Sequence, residues 1–128
     1  MYTSDFESLI DIVRRKNRVD QGSDWSNGSA TYLDEVRKEL LEVEEEIRQQ
    51  RLCYLEDELA DVLWDYLNAI VCLEQEQGVS LERVIRRGVG KYAERVAAIE
   101  SGEAWSSVKV RQKRRLSEEH EAGASEEA

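Results

Sequence analysis

The sequence has no proline, one histidine, two cysteines, one methionine and one phenylalanine. Each scarcity removes a class of answer. Without proline, nothing forces a kink or stop into a helix, so long helices rich in Leu, Val, Glu and Arg are expected. Two cysteines, Cys53 and Cys72, are too few for a disulfide framework. They read as structural residues in a reduced, cytoplasmic protein. The single histidine, His120, leaves no nucleophilic triad and no pair of Glu-x-x-His motifs for a diiron bundle. No Gly-rich phosphate loop occurs. No apolar run approaches the roughly 18 residues of a membrane span. The first residues, broken by acids and bases, do not read as a signal peptide.

Basic charge is also short. Lys and Arg number 18 against 28 Asp and Glu, a formal net charge of −10. Such a balance opposes binding to nucleic acid polymers or anionic membranes, which takes a basic surface. It leaves divalent cations open as partners.

What remains is helical pattern in a chain of 128 residues, the size of one domain. A capping box at Ser4 and Glu7, with Phe6, Leu9, Ile10 and Val13 at helical spacing, predicts a first helix over about 5–17. A loop rich in Gly, Ser, Asn and Asp follows over 20–30, and Thr31 is the expected N-cap of the second helix. That helix carries an apolar stripe of Val36, Leu40, Val43 and Ile47 and fades near Gln49. The third carries Leu55, Leu59, Val62, Tyr66, Ala69 or Ile70, and Leu73, and stops at Gly78. Ser80 is the expected cap of a fourth, with Leu81, Val84, Ile85, Tyr92, Val96 and Ile99 on its apolar face. The expected fold is all-α, a four-helix-type bundle over 1–109 completed by self-association, as a homodimer or homotetramer. The charged stretch 110–128 reads as a disordered tail.

The acids are patterned. Glu35, Glu39, Glu42 and Glu46 share one face of the second helix, each one residue before a member of the apolar stripe. Glu58, Asp61 and Asp65 repeat the arrangement on the third, and Asn68 continues that face. The acidic lines therefore run about 100° from the core lines, at the edge of the core. If the helices pair antiparallel, the lines can face each other. Like charges so placed destabilise the helices, and a divalent cation removes the penalty. Oxygen-only ligands on rigid helices suit Mg²⁺, with Mn²⁺ the alternative. A solvated acidic face is the competing reading, and with it a non-catalytic module that binds a basic partner or only metal.

The segment Glu39-Leu-Leu-Glu42, fifteen residues, then Glu58-Leu-Ala-Asp61-Val-Leu-Trp64 resembles the acidic signature of the MazG-like nucleotide pyrophosphohydrolases. Trp25 matches a tryptophan-bearing loop before the first acidic helix, and Lys91–Arg95 and Trp105–Lys109 are similar to later family segments. The resemblance departs at Lys38, where the family has a first Glu. It implies an all-α enzyme that hydrolyses a ribo- or deoxyribonucleoside triphosphate to the monophosphate and pyrophosphate, often to clear the nucleotide pool. It implies Glu39, Glu42, Glu58 and Asp61 as the metal-binding and catalytic set, with Glu35, Glu46 and Asp65 as supporting carboxylates. Lys91, Arg95 and Lys109 become candidates for holding phosphates, and Trp25 and Asn68 for touching the base, Trp25 reading equally as a loop anchor packed on the bundle. Arg87, on the face of Lys91 and Arg95, reads equally as a surface cation. Trp64 and Trp105 read first as packing residues.

Overall fold

The computed structural model describes residues 2–22 and 28–127, with side chains through residue 123. Five helices and no strands are present among the described residues: α1 (Tyr2–Gln21), α2 (Ser29–Gln49), α3 (Leu52–Gln77), α4 (Leu81–Glu100) and α5 (Trp105–Glu127). The all-α expectation holds. The chain groups into two compact units, Met1–Leu81 and Glu82–Ala128.

In the first unit, α1 and α2 both pack on α3. The two-residue link Gln50–Arg51 turns α3 back antiparallel along α2. Gln50 makes the turn in the left-handed region at φ 58°, and its N–H donates to the Glu46 carbonyl at 3.0 Å. The main core joins Val13 of α1 to Leu67, Ile70 and Val71 of α3 and to Leu81, with Phe6, Leu9, Ile10 and Trp64 packed against it. A smaller cluster joins Tyr32 to Ala69 and Cys72.

Several local expectations shift. Helix α1 begins at Tyr2, so Ser4 lies inside it and not at its cap. Helix α2 begins at Ser29, before Thr31, because Glu76 of α3 supplies the cap: Ser29 N–H donates to its Oε2 at 2.8 Å. Gly28 precedes it at φ 74°, and a Cβ there would strike the same Glu76 carboxylate. Likewise Leu81 N–H, at the start of α4, donates to Glu74 Oε2 at 2.9 Å.

The apolar stripe of α2 is only partly covered: Val36 and Val43 are half-buried. Leu40 and Ile47 are about half exposed, whereas Tyr32 and Glu46 are buried and Glu35 and Glu39 half-buried. On α3, Leu59 and Tyr66 are likewise exposed. The helices turn their acidic lines toward each other and leave part of the apolar stripes outside. In the second unit, Val84, Ile85, Tyr92, Val96 and Ile99 of α4 are also exposed, contrary to the expected buried face.

Residues 110–127, expected as a disordered tail, form most of α5, and the expected boundary after 109 falls within that helix. Most of the stretch consists of strong helix formers, Arg, Lys, Gln, Leu, Glu and Ala, which outweigh Gly123. It is also tied to α4. Gln112 accepts from Arg95 at 2.6 Å and donates to the Lys91 carbonyl at 2.9 Å, Arg87 bonds Glu119 at 2.6 Å, and Arg115 pairs with Glu94. No helix of the described residues is long and apolar enough to cross a membrane.

Candidate metal centre between α2 and α3

The hairpin brings the two acidic lines together. One carboxylate oxygen each from Glu39, Glu58 and Asp61 lie within 4.8 Å of one another, and so do oxygens from Glu35, Glu39 and Asp65. Oε2 of Glu39 and Oε2 of Glu58 are buried and accept no hydrogen bond. Unpaired buried carboxylate oxygens are costly, and native structures rarely keep them without a compensating group. The set is oxygen-only, anionic and held on two helices. It fits a hard divalent cation.

Electrostatics agree. The Glu39 carboxyl is pushed up to about 8 by burial and by the neighbouring Glu58, Glu42 and Asp61. At Glu58 the contact with Glu39 opposes a rise, but Glu42, burial and Asp61 outweigh it and the carboxyl titrates high. Asp61 is raised by burial, then by Asp57 and Glu42. Asp65 is pushed up to about 6 by burial, then by Glu35 and Asp61.

A cleft of about 420 Å³ opens beside these carboxylates, lined by Lys16, Tyr32, Glu35, Glu39, Asp61, Trp64 and Asp65. Two of these residues escaped the sequence pattern. Lys16 of α1 lies 3.3 Å from the Tyr32 hydroxyl and pairs with Asp20, and Tyr32 donates to Asp20. The i, i+4 pair Lys16–Asp20 is visible in the sequence, but nothing there says that the pair faces acids on other helices.

The remaining expected residues separate. Glu42 is exposed and outside both triads, acting on them through its charge. Glu46 leaves the line altogether: it is buried and paired with Arg51, whose Nε donates to Oε2 at 3.0 Å. Lys38 points to the exposed flank and pairs with Glu35 Oε1 at 3.3 Å. Asn68 is 1% exposed and donates to the Trp64 carbonyl at 2.9 Å, so it braces α3 and presents no surface to a base. Trp64 both packs on the core and lines the cleft. Trp25 lies outside the described residues.

Lys91, Arg95 and Lys109 belong to the second unit. Arg95 is buried there, its guanidinium 5.3 Å from the Tyr92 ring and 5.0 Å from the Trp105 ring. Lys91 is exposed over the Tyr92 ring. Lys109 lines a recess of about 260 Å³ with Trp105, Ser106, Val110 and Lys113.

Fold and site together describe an all-helical protein whose antiparallel hairpin carries an acidic cluster compatible with a divalent cation. A model of the MazG nucleotide pyrophosphohydrolase domain matches residues 27–100, more than half of the chain, and the chain belongs to that family. No curated protein and no solved structure gives a significant match.

Proposed function

We propose that the protein is a divalent-metal-dependent pyrophosphohydrolase, converting a ribo- or deoxyribonucleoside triphosphate and water to the monophosphate and pyrophosphate. The observation that carries this reading is the pair of buried, unpartnered oxygens on Glu39 and Glu58 beside Asp61, within the segment that matches the family. Glu39, Glu58 and Asp61 hold the cation, Mg²⁺ or Mn²⁺, and Glu42 adds negative charge at the edge. The bound cation supplies charge neutralisation to phosphate oxygens and acidity to water. A carboxylate of the cluster takes the proton of the attacking water, which strikes the α-phosphorus and releases pyrophosphate. Lys16 places a cation at the cleft for an anionic group of the substrate. Lys91, Arg95 and Lys109 stand as phosphate ligands on the family resemblance. The bonds of Arg95 to Gln112 and the two rings also give it a bracing role. Clearing the nucleotide pool is the biological role this chemistry serves, in the cytoplasm.

Self-association belongs to the same proposal. Leu40, Leu41, Ile47, Leu59, Leu63 and Tyr66 are exposed on the hairpin, an apolar surface that a second copy would cover.

The test is a panel of ribo- and deoxyribonucleotides with Mg²⁺ and Mn²⁺, assayed for pyrophosphate. At least one nucleotide should be cleaved, and Glu39→Ala and Asp61→Ala should each abolish the release. No pyrophosphate from any nucleotide overturns the reading.

A further inference from the structure

Where α4 and α5 pack, arginines meet carboxylates. Arg87 pairs with Glu119, Arg111 with Glu94 and Glu103, and Arg115 with Glu94. Arg95 differs. It is 7% exposed, deeper than those three, yet no described carboxylate pairs with it. In a chain of net charge −10, a shortage of acids does not account for that.

The partners of Arg95 are neutral. Its Nε donates to Gln112 Oε1 at 2.6 Å, and its guanidinium carbon lies over the Tyr92 and Trp105 rings, 5.3 and 5.0 Å from their centres. Gln112 Nε2 in turn donates to the Lys91 carbonyl at 2.9 Å and to Glu94 Oε1 at 2.8 Å, so α4 fixes this one amide at three residues. The amide aims the guanidinium without neutralising it. A carboxylate at that place would hold Arg95 as well and would cancel its charge. Glu94 does not cancel it either, since Arg111 and Arg115 hold that carboxylate. A buried guanidinium left charged is costly until an anion meets it. The terminal nitrogens of Arg95 bond no described residue, which leaves the planar fork for two oxygens of one anion.

A second observation meets the first at Trp105. The same indole lines the recess of about 260 Å³ with Lys109 and Lys113, and neither lysine has an acidic partner among the described residues. Cations without counter-charges therefore gather around it.

We propose that Gln112 is a positioning residue for anion binding by the second unit: it holds Arg95 in place for a phosphate group and leaves its charge intact. The inference rests on the reading of Arg95 as a phosphate ligand and adds the residue that sets its geometry.

The experiment is calorimetric titration of the full chain with inorganic triphosphate, without divalent cation, beside thermal melting of each variant. The wild type should bind. Gln112→Glu keeps an acceptor for Arg95 but sets a negative charge beside it, and should weaken binding by roughly tenfold or more. Gln112→Ala releases the guanidinium and should weaken binding by about threefold or more, since the fork must then be ordered by the ligand. A residue that only braced α5 on α4 would lower the melting point and leave triphosphate affinity at the wild-type value, and that result overturns the proposal. Arg95→Lys keeps the charge and loses the planar fork, and it decides the matter if both Gln112 variants fail to fold. It should bind more weakly, and wild-type affinity there also overturns the proposal. A wild type that binds no triphosphate up to the millimolar range overturns it too, even if nucleotides are cleaved. Triphosphate binding that depends on Gln112, with no pyrophosphate from any nucleotide, upholds this inference and overturns the catalytic reading alone.

Discussion

Glu39 sits under opposing demands. Its carboxylate faces Glu58 and Asp61, so without a cation it does best protonated, yet binding a cation takes the ionised form. The sign follows from its titration. The unfolded carboxyl ionises near its ordinary value of 4.5, the folded one only near about 8. The folded state therefore holds the extra proton between those values, and stability falls as pH rises through that window. Asp65 adds to the same slope between its ordinary 3.8 and about 6. Melting of the metal-free chain should thus drop between pH 5 and 9, and excess Mg²⁺ should remove most of the drop. A metal-free melting point that climbs over that range contradicts the reading. Mn²⁺ binding at pH 6.5 should also release protons, visible as a dependence of calorimetric heat on buffer ionisation enthalpy. Glu58→Gln removes one of the opposed charges. It should melt no lower than the wild type without metal, lose the Mg²⁺-induced rise, and cut kcat/KM by roughly 10²-fold or more. Part of this was legible beforehand, since the spacing of Glu39, Glu58 and Asp61 put them on one edge of each helix, able to face each other if the helices paired antiparallel. Lys16 and Tyr32 were not, because a cleft partner on another helix leaves no mark on local periodicity.

The α2–α3 hairpin positions the carboxylates, and its turn holds a strained residue. Gln50 adopts φ 58° at the C-cap of α2, where glycine carries no Cβ penalty. Gln50→Gly should stabilise the chain by about 1 kcal/mol in urea unfolding, with nucleotide hydrolysis unchanged. Gly28→Ala should do the reverse by at least about 1 kcal/mol, since its Cβ meets the Glu76 carboxylate that caps α2. Helix existence was readable for α1 to α4 because the apolar repeats are long. Which side of α2 faces inward was not. The apolar and acidic lines lie only about 100° apart, and packing placed Glu35 and Glu39 inward while Leu40 and Ile47 stayed outward. Helix α5 was missed for a related reason: its charges suggested solvent, and only the bonds from Gln112, Arg115 and Glu119 to α4 show where they go.

At the scale of the molecule, a net charge of −10 and an exposed apolar hairpin surface pull in different directions. Charge repels a second copy, while burial of Leu40, Leu63 and Tyr66 favours one. Added salt, which screens the repulsion, should therefore strengthen self-association. Replacing Leu40 and Leu63 together with Glu should shift the light-scattering mass toward the 14.8 kDa monomer. A double variant with unchanged mass would show that other residues make the contact. The sequence suggested self-association from the number of amphipathic helices; on the proposed reading the exposed leucines of α2 and α3 would supply a surface for it.

The two-residue link between α2 and α3 also bears on how the chain folds. The proposed ligands Glu39, Glu58 and Asp61 all lie within that one hairpin. Contacts this local form early, before α1 must find its place on α3. The carboxylates then meet while the chain is still incomplete, and their mutual repulsion becomes a kinetic barrier. A divalent cation lowers that barrier in the transition state as well as in the native state. Refolding by stopped flow should accordingly quicken with Mg²⁺ while unfolding slows little. On the proposed reading of the site, the hairpin would make the cation a participant in folding.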